Sequence, residues 1–146
     1  MPFSELGEHA HVKVVSHCEL QLPPEYRSPS GLDTDRFVTP ELIAYPTFDE
    51  VDGAPRQVPA WVYKPAGKGP HPVIISIHGG PEGQSRPSFS ATYQMWLAEL
   101  GTAVIVPNVR GSTGYGKTYT SLDNGFRRED SVRDIGELLD WIETQP

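Results

Sequence analysis

The sequence has little of what would indicate a secreted, membrane-spanning or nucleic-acid-binding protein. It contains one cysteine, Cys18, so it cannot form an internal disulfide. Its longest apolar runs are about five residues, far short of the roughly 20 that a membrane-spanning helix needs. Residues 1–8 have neither the basic region nor the apolar core of a signal peptide. We therefore expect a cytoplasmic protein.

Positive charge is also scarce. The 12 Lys and Arg residues are outnumbered by 19 Asp and Glu residues, which gives a net charge of −7. No cluster of basic residues offers a footprint for phosphates, and the net negative field would repel polyanions, so we expect no nucleic-acid or membrane partner. The histidines and Cys18 show no metal-ligand spacing, and we predict neither a metal nor a cofactor.

The order of elements after residue 38 is that of an α/β protein. Two segments with strand character flank turn material at 49–56 that contains Asp52-Gly53, which predicts a hairpin. Alternating strands and helices then indicate a parallel sheet covered by helices. The predicted elements are strands at 41–45, 59–63 and 73–77, a helix at 89–100, a strand at 103–106 and a helix at 128–143.

Both predicted helices carry an apolar face. The first has a stripe at helical spacing and a glycine stop at Gly101. The second has Asp130 near its positive N-terminus. The predicted core-facing residues are Tyr93, Trp96, Leu97 and Leu100 in the first helix, and Val132, Ile135, Leu138, Leu139 and Ile142 in the second.

Two glycine-containing loops carry most of the chemical signal. The strand at 73–77 runs into His78-Gly79-Gly80-Pro81, and the strand at 103–106 opens into a loop at 107–116. Glycine lacks a Cβ, so its backbone can approach a substrate closely and leave N–H groups free. Such donors stabilise the oxyanion that forms in acyl transfer. The alternative is that Gly-Gly-Pro is only a tight turn at the end of a buried strand.

The segment Gly111–Thr118 matches the phosphate-binding pattern G-x-x-x-x-G-K-[ST]. A phosphate-binding loop leads directly into a helix, whereas residues 119–125 consist of turn formers without apolar periodicity. No later apolar strand ends in an aspartate that could hold magnesium. We therefore interpret the match as accidental. A nucleotide-binding module remains the alternative, and it predicts protection by ATP or GTP that Lys117→Ala abolishes.

Taken together, these segments resemble the prolyl oligopeptidase family of serine peptidases, which are α/β hydrolases related to the acylaminoacyl peptidases. The resemblance rests on 39–49, on His78-Gly79-Gly80-Pro81 and on Arg110-Gly111-Ser112-Thr113-Gly114-Tyr115-Gly116, and it covers 39–146. It implies an incomplete α/β-hydrolase sheet, with an N-terminal hairpin followed by parallel strands and helices, for 39–146. Residues 1–38 are then expected to be the end of a β-propeller and a linker.

The resemblance also implies roles for individual residues. Gly79 and Gly80 correspond to the oxyanion loop. We interpret His78 as a packed, hydrogen-bonded residue and not as a general base, because neither an acidic partner nor a nucleophile is evident beside it. The residues expected to be active-site scaffold are His78, Pro81, Arg110 and Tyr115.

The catalytic triad is not found in this sequence. No serine has glycine at both −2 and +2, and Ser112 has Arg110 at −2. No histidine follows His78, although the order in α/β hydrolases is Ser, Asp or Glu, then His. We expect the triad to lie beyond Pro146 and the chain alone to be inactive. The complete protein is expected to hydrolyse short peptides through an acyl-enzyme.

Two expectations concern partners. The first is association with the missing C-terminal half of the peptidase. As an alternative to a truncated peptidase, the chain could be a non-catalytic half that docks with a separately encoded partner that carries the triad. The second is self-aggregation, because without the strand that would pair beside 73–77 an apolar edge is left open.

Overall fold

Four strands form one mixed sheet with the spatial order β1-β2-β4-β3. The computed structural model describes residues 33–80 and 82–145. The strands are β1 (Glu41–Val51), β2 (Ala54–Tyr63), β3 (Val73–Ile75) and β4 (Ala103–Pro107). The α-helices of the described residues are α1 (Ala91–Leu100), α2 (Lys117–Thr120) and α3 (Asp130–Glu143), with 3-10 turns at Thr34–Arg36, Ser121–Asp123 and Gly125–Arg127. The predicted α/β character is confirmed.

Strands β1 and β2 form the predicted hairpin, but it is longer than expected. They pair antiparallel from Glu41↔Val62 to Val51↔Ala54, so most of 49–56 is strand and not turn. Asp52 and Gly53 make the tight turn, with φ of 55° and 78°. Positive φ at both central residues is what a two-residue hairpin turn of the favoured twist requires.

Strand β4 is the most deeply buried element of the sheet. It pairs antiparallel with β2 and parallel with β3, and all five of its residues are buried. Helix α3 covers one face of the sheet and α1 covers the other, which explains why β4 reads as a continuous apolar run. The cluster under α3 contains Tyr45, Val58, Ala60, Ile105 and Leu138, and the cluster under α1 contains Tyr63, Leu97, Val104 and Val106.

The predicted strand at 73–77 is shorter than expected. β3 contains only Val73–Ile75 and lies at the edge of the sheet, with β4 as its one neighbour among the described strands. Val73 and Ile77 are exposed. Within the described residues the edge of β3 is thus open, as expected from the lack of a strand beside it, and the strand is two residues shorter than the predicted 73–77.

Helix α1 begins and ends close to its predicted boundaries. The Ser90 hydroxyl accepts a hydrogen bond from the Tyr93 amide and caps its N-terminus. Gly101 ends the helix in the left-handed conformation with φ of 59°, as predicted. Leu97 is buried in the core, but Leu100 is exposed, so the predicted stripe is one residue too long.

Helix α3 packs a face that overlaps the predicted one only in part, and Ile135 is half-buried as predicted. Leu138 is buried and Ile142 is partly buried, whereas Val132 and Leu139 are exposed. Two polar residues, Ser131 and Asp134, are buried in their place. The side of the helix that carries Asp134 faces the sheet, because this carboxylate pairs with the buried Arg110, described below. Asp130 lies in the first turn as predicted.

Several predictions fall on residues outside the described ones. Residues 1–32 are among these, so the β-propeller remnant and the linker stay predictions. Within the described ranges, no helix combines the length and the apolar character needed to cross a membrane.

Candidate functional site

Two loops leave the sheet side by side, at the carboxyl ends of the parallel strands β3 and β4. We call residues 78–80 and 82–83 the glycine turn and residues 108–116 the second loop. The Thr113 amide donates to the Gly83 carbonyl at 2.9 Å. The Asn108 side chain accepts from the Ser85 amide at 2.7 Å and donates to the Ser85 carbonyl at 3.0 Å. The two loops therefore form one hydrogen-bonded unit at this edge of the sheet.

His78 lies between the two loops and contacts both. Its Nε2 is 3.1 Å from Ser112 Oγ, and its Nδ1 is 3.1 Å from the Gly79 carbonyl oxygen. When the Ser112 hydroxyl donates to Nε2, the neutral ring carries its proton on Nδ1 and donates to Gly79. The fold thus places beside His78 a hydroxyl that the sequence did not reveal, because the two residues are 34 positions apart.

This serine-histidine pair lacks the features of a nucleophile and its base. Ser112 is fully buried, with 0% exposure, so a substrate carbonyl cannot reach its hydroxyl. The second ring nitrogen of His78 faces a carbonyl and not a carboxylate. The contact with Ser112 orients the His78 ring, and the ring holds the Gly79 carbonyl on the side of the turn that faces His78.

The glycine turn leaves backbone donors free. Within the described residues, the amides of Gly79 and Gly80 donate no hydrogen bond to the protein. In a trans peptide the C=O and N–H point in opposite directions, so holding the Gly79 carbonyl toward His78 aims the Gly80 N–H away from it. Gly79 and Gly80 are both exposed. These amides can therefore approach an external oxyanion.

Gly80 can hardly be any other residue. Its φ is 127°, a conformation that L residues with a side chain rarely adopt. A Cβ at this position would lie 2.7 Å from the backbone nitrogen of Glu82. The next scaffold candidate, Pro81, lies outside the described residues.

Arg110 anchors the second loop to helix α3. Its side chain is only 3% exposed, and it donates from Nε to Asp134 Oδ2 at 2.9 Å and from an Nη to Asp134 Oδ1 at 2.7 Å. The Arg110 amide donates to the same carboxylate at 3.0 Å. Burial alone would lower the pKa of Arg110, but the Asp134 contacts outweigh burial and raise it. Asp134 thus holds both the side chain and the backbone of Arg110.

An irregularity in β1 supplies the other side of this cluster. The register of the hairpin shifts between Pro46 and Glu50, which frees the intervening residues from regular pairing. Thr47 Oγ1 donates to Asp134 Oδ1 at 2.6 Å, and Asp49 accepts from Arg110 at 2.8 Å. The Phe48 ring lies 4.3 Å from the Arg110 guanidinium. Three elements, β1, the second loop and α3, meet at these contacts.

Asp49 makes the cluster sensitive to acid. Burial alone would raise the pKa of its carboxyl, but hydrogen bonds from Arg56 and Arg110 outweigh burial and lower the pKa below the ordinary 3.8. Because the folded-state pKa lies below the unfolded one, the stabilisation is complete above about pH 4 and is lost as the pH falls through the folded-state pKa. We expect Asp49→Asn to flatten the fall in the free energy of unfolding below pH 4.

Urea unfolding at a series of pH values measures this. The neighbouring exposed residue Glu50 provides the control, and Glu50→Gln should keep the acid dependence of the unaltered chain. An Asp49→Asn chain with the same dependence below pH 4 would show that the two arginine contacts do not stabilise the fold.

Tyr115 is part of the packed interior of the second loop. Its hydroxyl accepts from Asn108 Nδ2 at 2.9 Å, and burial raises the pKa of its phenol. The neighbouring Tyr119 donates to the Asn108 carbonyl at 2.8 Å. Asn108, which is fully buried, therefore joins Ser85, just after the glycine turn, to Tyr115 of the second loop and Tyr119 of α2.

The second loop is not arranged to cradle a phosphate. Three of its amides are already used: Gly111 donates to the Tyr119 carbonyl, Ser112 to the Val109 carbonyl, and Thr113 to the Gly83 carbonyl. A Cβ on Gly111 would lie 2.5 Å from the Asp123 carboxylate, which places a negative group beside the loop. The prediction that no helix follows this segment was wrong, because α2 starts at Lys117. This helix is a single turn, however, and ends at Thr120.

No metal centre is evident in this part of the chain. Over residues 33–80 and 82–145, no group of three or more His, Cys, Asp or Glu side chains lies close enough to hold an ion.

Several known proteins that are similar to this chain are peptidases. Residues 87–146 match the Prolyl oligopeptidase family. Dipeptidyl aminopeptidase BIII of Pseudoxanthomonas mexicana is 36% identical over 76 residues, which are 52% of this chain and 11% of that protein. The family resemblance predicted from the sequence is confirmed.

Solved structures of peptidases share the fold. The acylaminoacyl peptidase of Pyrococcus horikoshii, in its orthorhombic crystal form, matches with a TM-score of 0.60 and 24% identity over 75% of this chain and 18% of its own. A prolyl endopeptidase from a study of two such enzymes matches with a TM-score of 0.62 and 25% identity over 70% of this chain and 14% of its own. The chain thus spans between a tenth and a fifth of the length of these relatives.

Proposed function

We propose that this chain, a relative of the prolyl oligopeptidase family, is the first part of the hydrolase domain of a serine-type peptidase and supplies its oxyanion loop. The observation that supports this most directly is the pair of exposed amides at Gly79 and Gly80, at the carboxyl edge of the sheet, which donate to no acceptor among the described residues. Residues His78, Pro81, Arg110 and Tyr115 are the proposed scaffold that positions them.

The proposed chemistry is acyl transfer. The nucleophile would attack the peptide carbonyl, and its oxygen would become an oxyanion that the amides of the glycine turn stabilise. One such donor contributes about 2.7–4 kcal/mol to transition-state stabilisation. The substrate class proposed is short peptides, in keeping with the dipeptidyl aminopeptidase among the relatives. Hydrolysis would proceed through an acyl-enzyme.

The nucleophile is proposed to come from outside these 146 residues. No serine here has the flanking glycines of an elbow, and Ser112, which does lie beside a histidine, is fully buried. The chain alone is therefore proposed to be inactive. The triad would be supplied by a longer form of the same protein or by a separately encoded partner.

The proposed architecture follows from this function. Residues 39–146 would be an incomplete α/β-hydrolase sheet, and residues 1–38 the end of a β-propeller with its linker. The outer edge of β3, which has no strand beside it within the described residues, is where we propose that the triad-bearing part docks or that copies of the chain self-associate. A cytoplasmic location is proposed on the sequence grounds given above.

The coding sequence downstream of residue 146 tests this proposal. A continuing or frameshifted reading frame that encodes Gly-x-Ser-x-Gly supports a segment of one peptidase. An independent neighbouring gene with that motif supports a two-chain peptidase. If neither is found in the genome near this gene, the proposal of a peptidase assembled around this oxyanion loop is contradicted.

A further inference from the structure

Asp123 is a buried carboxylate that the site described so far does not use. It ends the 3-10 turn Ser121–Asp123 and is only 1% exposed. Neither of its oxygens has a hydrogen-bond partner among the described residues. A buried charge without compensation is costly, so the position calls for a cation nearby.

That cation is Arg128, and it also contacts the glycine turn. Its Nη1 lies 3.2 Å from Asp123 Oδ2, and the same nitrogen donates to the Gly80 carbonyl at 3.3 Å. The Arg128 side chain is otherwise open, with 59% exposure. One guanidinium nitrogen thus bridges a buried carboxylate and the carbonyl of a proposed oxyanion residue.

We propose that Arg128 is a positioning residue: held by Asp123, it fixes the Gly80 carbonyl and so sets the conformation of the glycine turn. The turn then has two restraints. His78 holds the Gly79 carbonyl, and Arg128 holds the Gly80 carbonyl. The peptide unit between Gly80 and Pro81 has no N–H, because its nitrogen belongs to proline. The Gly80 carbonyl is therefore the group of this peptide unit that a hydrogen bond can hold.

The buried position of Asp123 is what distinguishes this contact from an ordinary surface ion pair. The carboxylate is packed against Gly111, so it cannot turn to solvent when its partner leaves. It therefore retains Arg128 in place, whereas two exposed partners would separate at little cost. The consequence for catalysis rests on the proposed function, but the restraint on the turn does not.

Nuclear magnetic resonance of the dilute 146-residue chain tests the restraint without any assay of hydrolysis. In the unaltered chain we expect backbone order parameters near 0.85 at Gly79 and Gly80, and in Arg128→Gln values below about 0.6. The Thr113 amide, which donates to Gly83 of the same turn, should exchange with solvent about tenfold faster in the variant, as expected for loss of a hydrogen bond to a charged group. Order parameters below about 0.6 in the unaltered chain would overturn the proposal.

Arg127 provides the matched control. It is an exposed arginine next to Arg128, so Arg127→Gln removes the same charge from the same surface. The control should leave the order parameters and the Thr113 exchange unchanged, and Arg128→Lys should recover part of the effect because it keeps the charge and a donor. If Arg127→Gln and Arg128→Gln behave alike, the effect is one of net charge and the proposal fails.

Two further readouts separate positioning from general loss of stability. Arg128→Gln leaves Asp123 buried without its cation and should lower the midpoint of urea unfolding, whereas Arg128→Gln combined with Asp123→Asn, which removes both charges, should recover the midpoint while the turn stays loose. Raising the salt concentration from 0.1 to 1 M should loosen the turn in the unaltered chain and have no such effect in Arg128→Gln, because screening weakens a half-exposed ion pair. A turn that is insensitive to salt in both would contradict the role of Asp123. Failure of these tests leaves the proposed oxyanion function standing.

Discussion

Replacement of Asp134 by alanine is expected to lower the free energy of unfolding by about 3–5 kcal/mol, the cost of breaking a buried ion pair from one side. Asp134 is fully buried and accepts from Thr47 and from the backbone and side chain of Arg110. Without it, the Arg110 guanidinium stays buried, and Asp49 is the one carboxylate of the described residues left at hydrogen-bonding distance. Whole domains are stable by about 5–15 kcal/mol, so this loss is a large fraction of the total stability.

Urea unfolding followed by circular dichroism measures this loss. Asp140 is the control, because it is an exposed aspartate of the same helix, and Asp140→Ala should change stability by less than about 0.5 kcal/mol. The double replacement Arg110→Met with Asp134→Leu should be less destabilising than Asp134→Ala alone, since it removes both charges. Equal losses for Asp134→Ala and Asp140→Ala would show that the buried cluster does not anchor the second loop.

Replacement of Gly111 by alanine is the second large expected effect. Gly111 has φ of 93°, and a Cβ there would lie 2.5 Å from Cγ and Oδ1 of the buried Asp123. The backbone strain costs about 1–3 kcal/mol. Forcing a methyl group into the packed contact adds about 1–3 kcal/mol. Both terms arise where the second loop rests on the 3-10 turn Ser121–Asp123, so we expect this loop to be displaced.

Gly116 separates the two terms. It lies in the same loop with almost the same φ, 92°, but a Cβ there would meet nothing within 4 Å. Gly116→Ala should therefore show the strain alone, and the difference between the two variants measures the contact with Asp123. Adding Asp123→Ala to Gly111→Ala should recover that difference. If Gly111→Ala costs no more than Gly116→Ala, Asp123 does not pack against the loop.

The regular elements were largely predictable because their signals are local. The turn Asp52-Gly53, the helix stop at Gly101 and the buried run of β4 each follow from the conformational freedom or hydrophobicity of a few adjacent residues. The full length of the hairpin and the early end of β3 at Ile75 did not follow, since each depends on which strands lie beside it. Apolar periodicity also did not show which of two neighbouring faces of α3 packs against the sheet. In the structure, the face that carries Asp134 does.

The candidate site was predictable only in part. The glycine turn and its place after β3 follow from the sequence, and so does the family resemblance. The pairs that hold the turn did not follow: His78 with Ser112 is 34 positions apart, and Arg128 with Gly80 is 48 positions apart. A buried aspartate such as Asp123 or Asp134 has no sequence signal of its own, because its charge is tolerated only through partners that the fold supplies.

The central claim is that this chain supplies an oxyanion loop and no nucleophile. Hydrolysis of chromogenic peptide and ester substrates by the purified 146-residue chain, with labelling by a serine-reactive fluorophosphonate alongside, tests it most directly. We predict neither turnover nor labelling. Turnover together with stoichiometric labelling that Ser112→Ala abolishes would contradict the claim, because it would show that the serine beside His78 is an accessible and activated nucleophile.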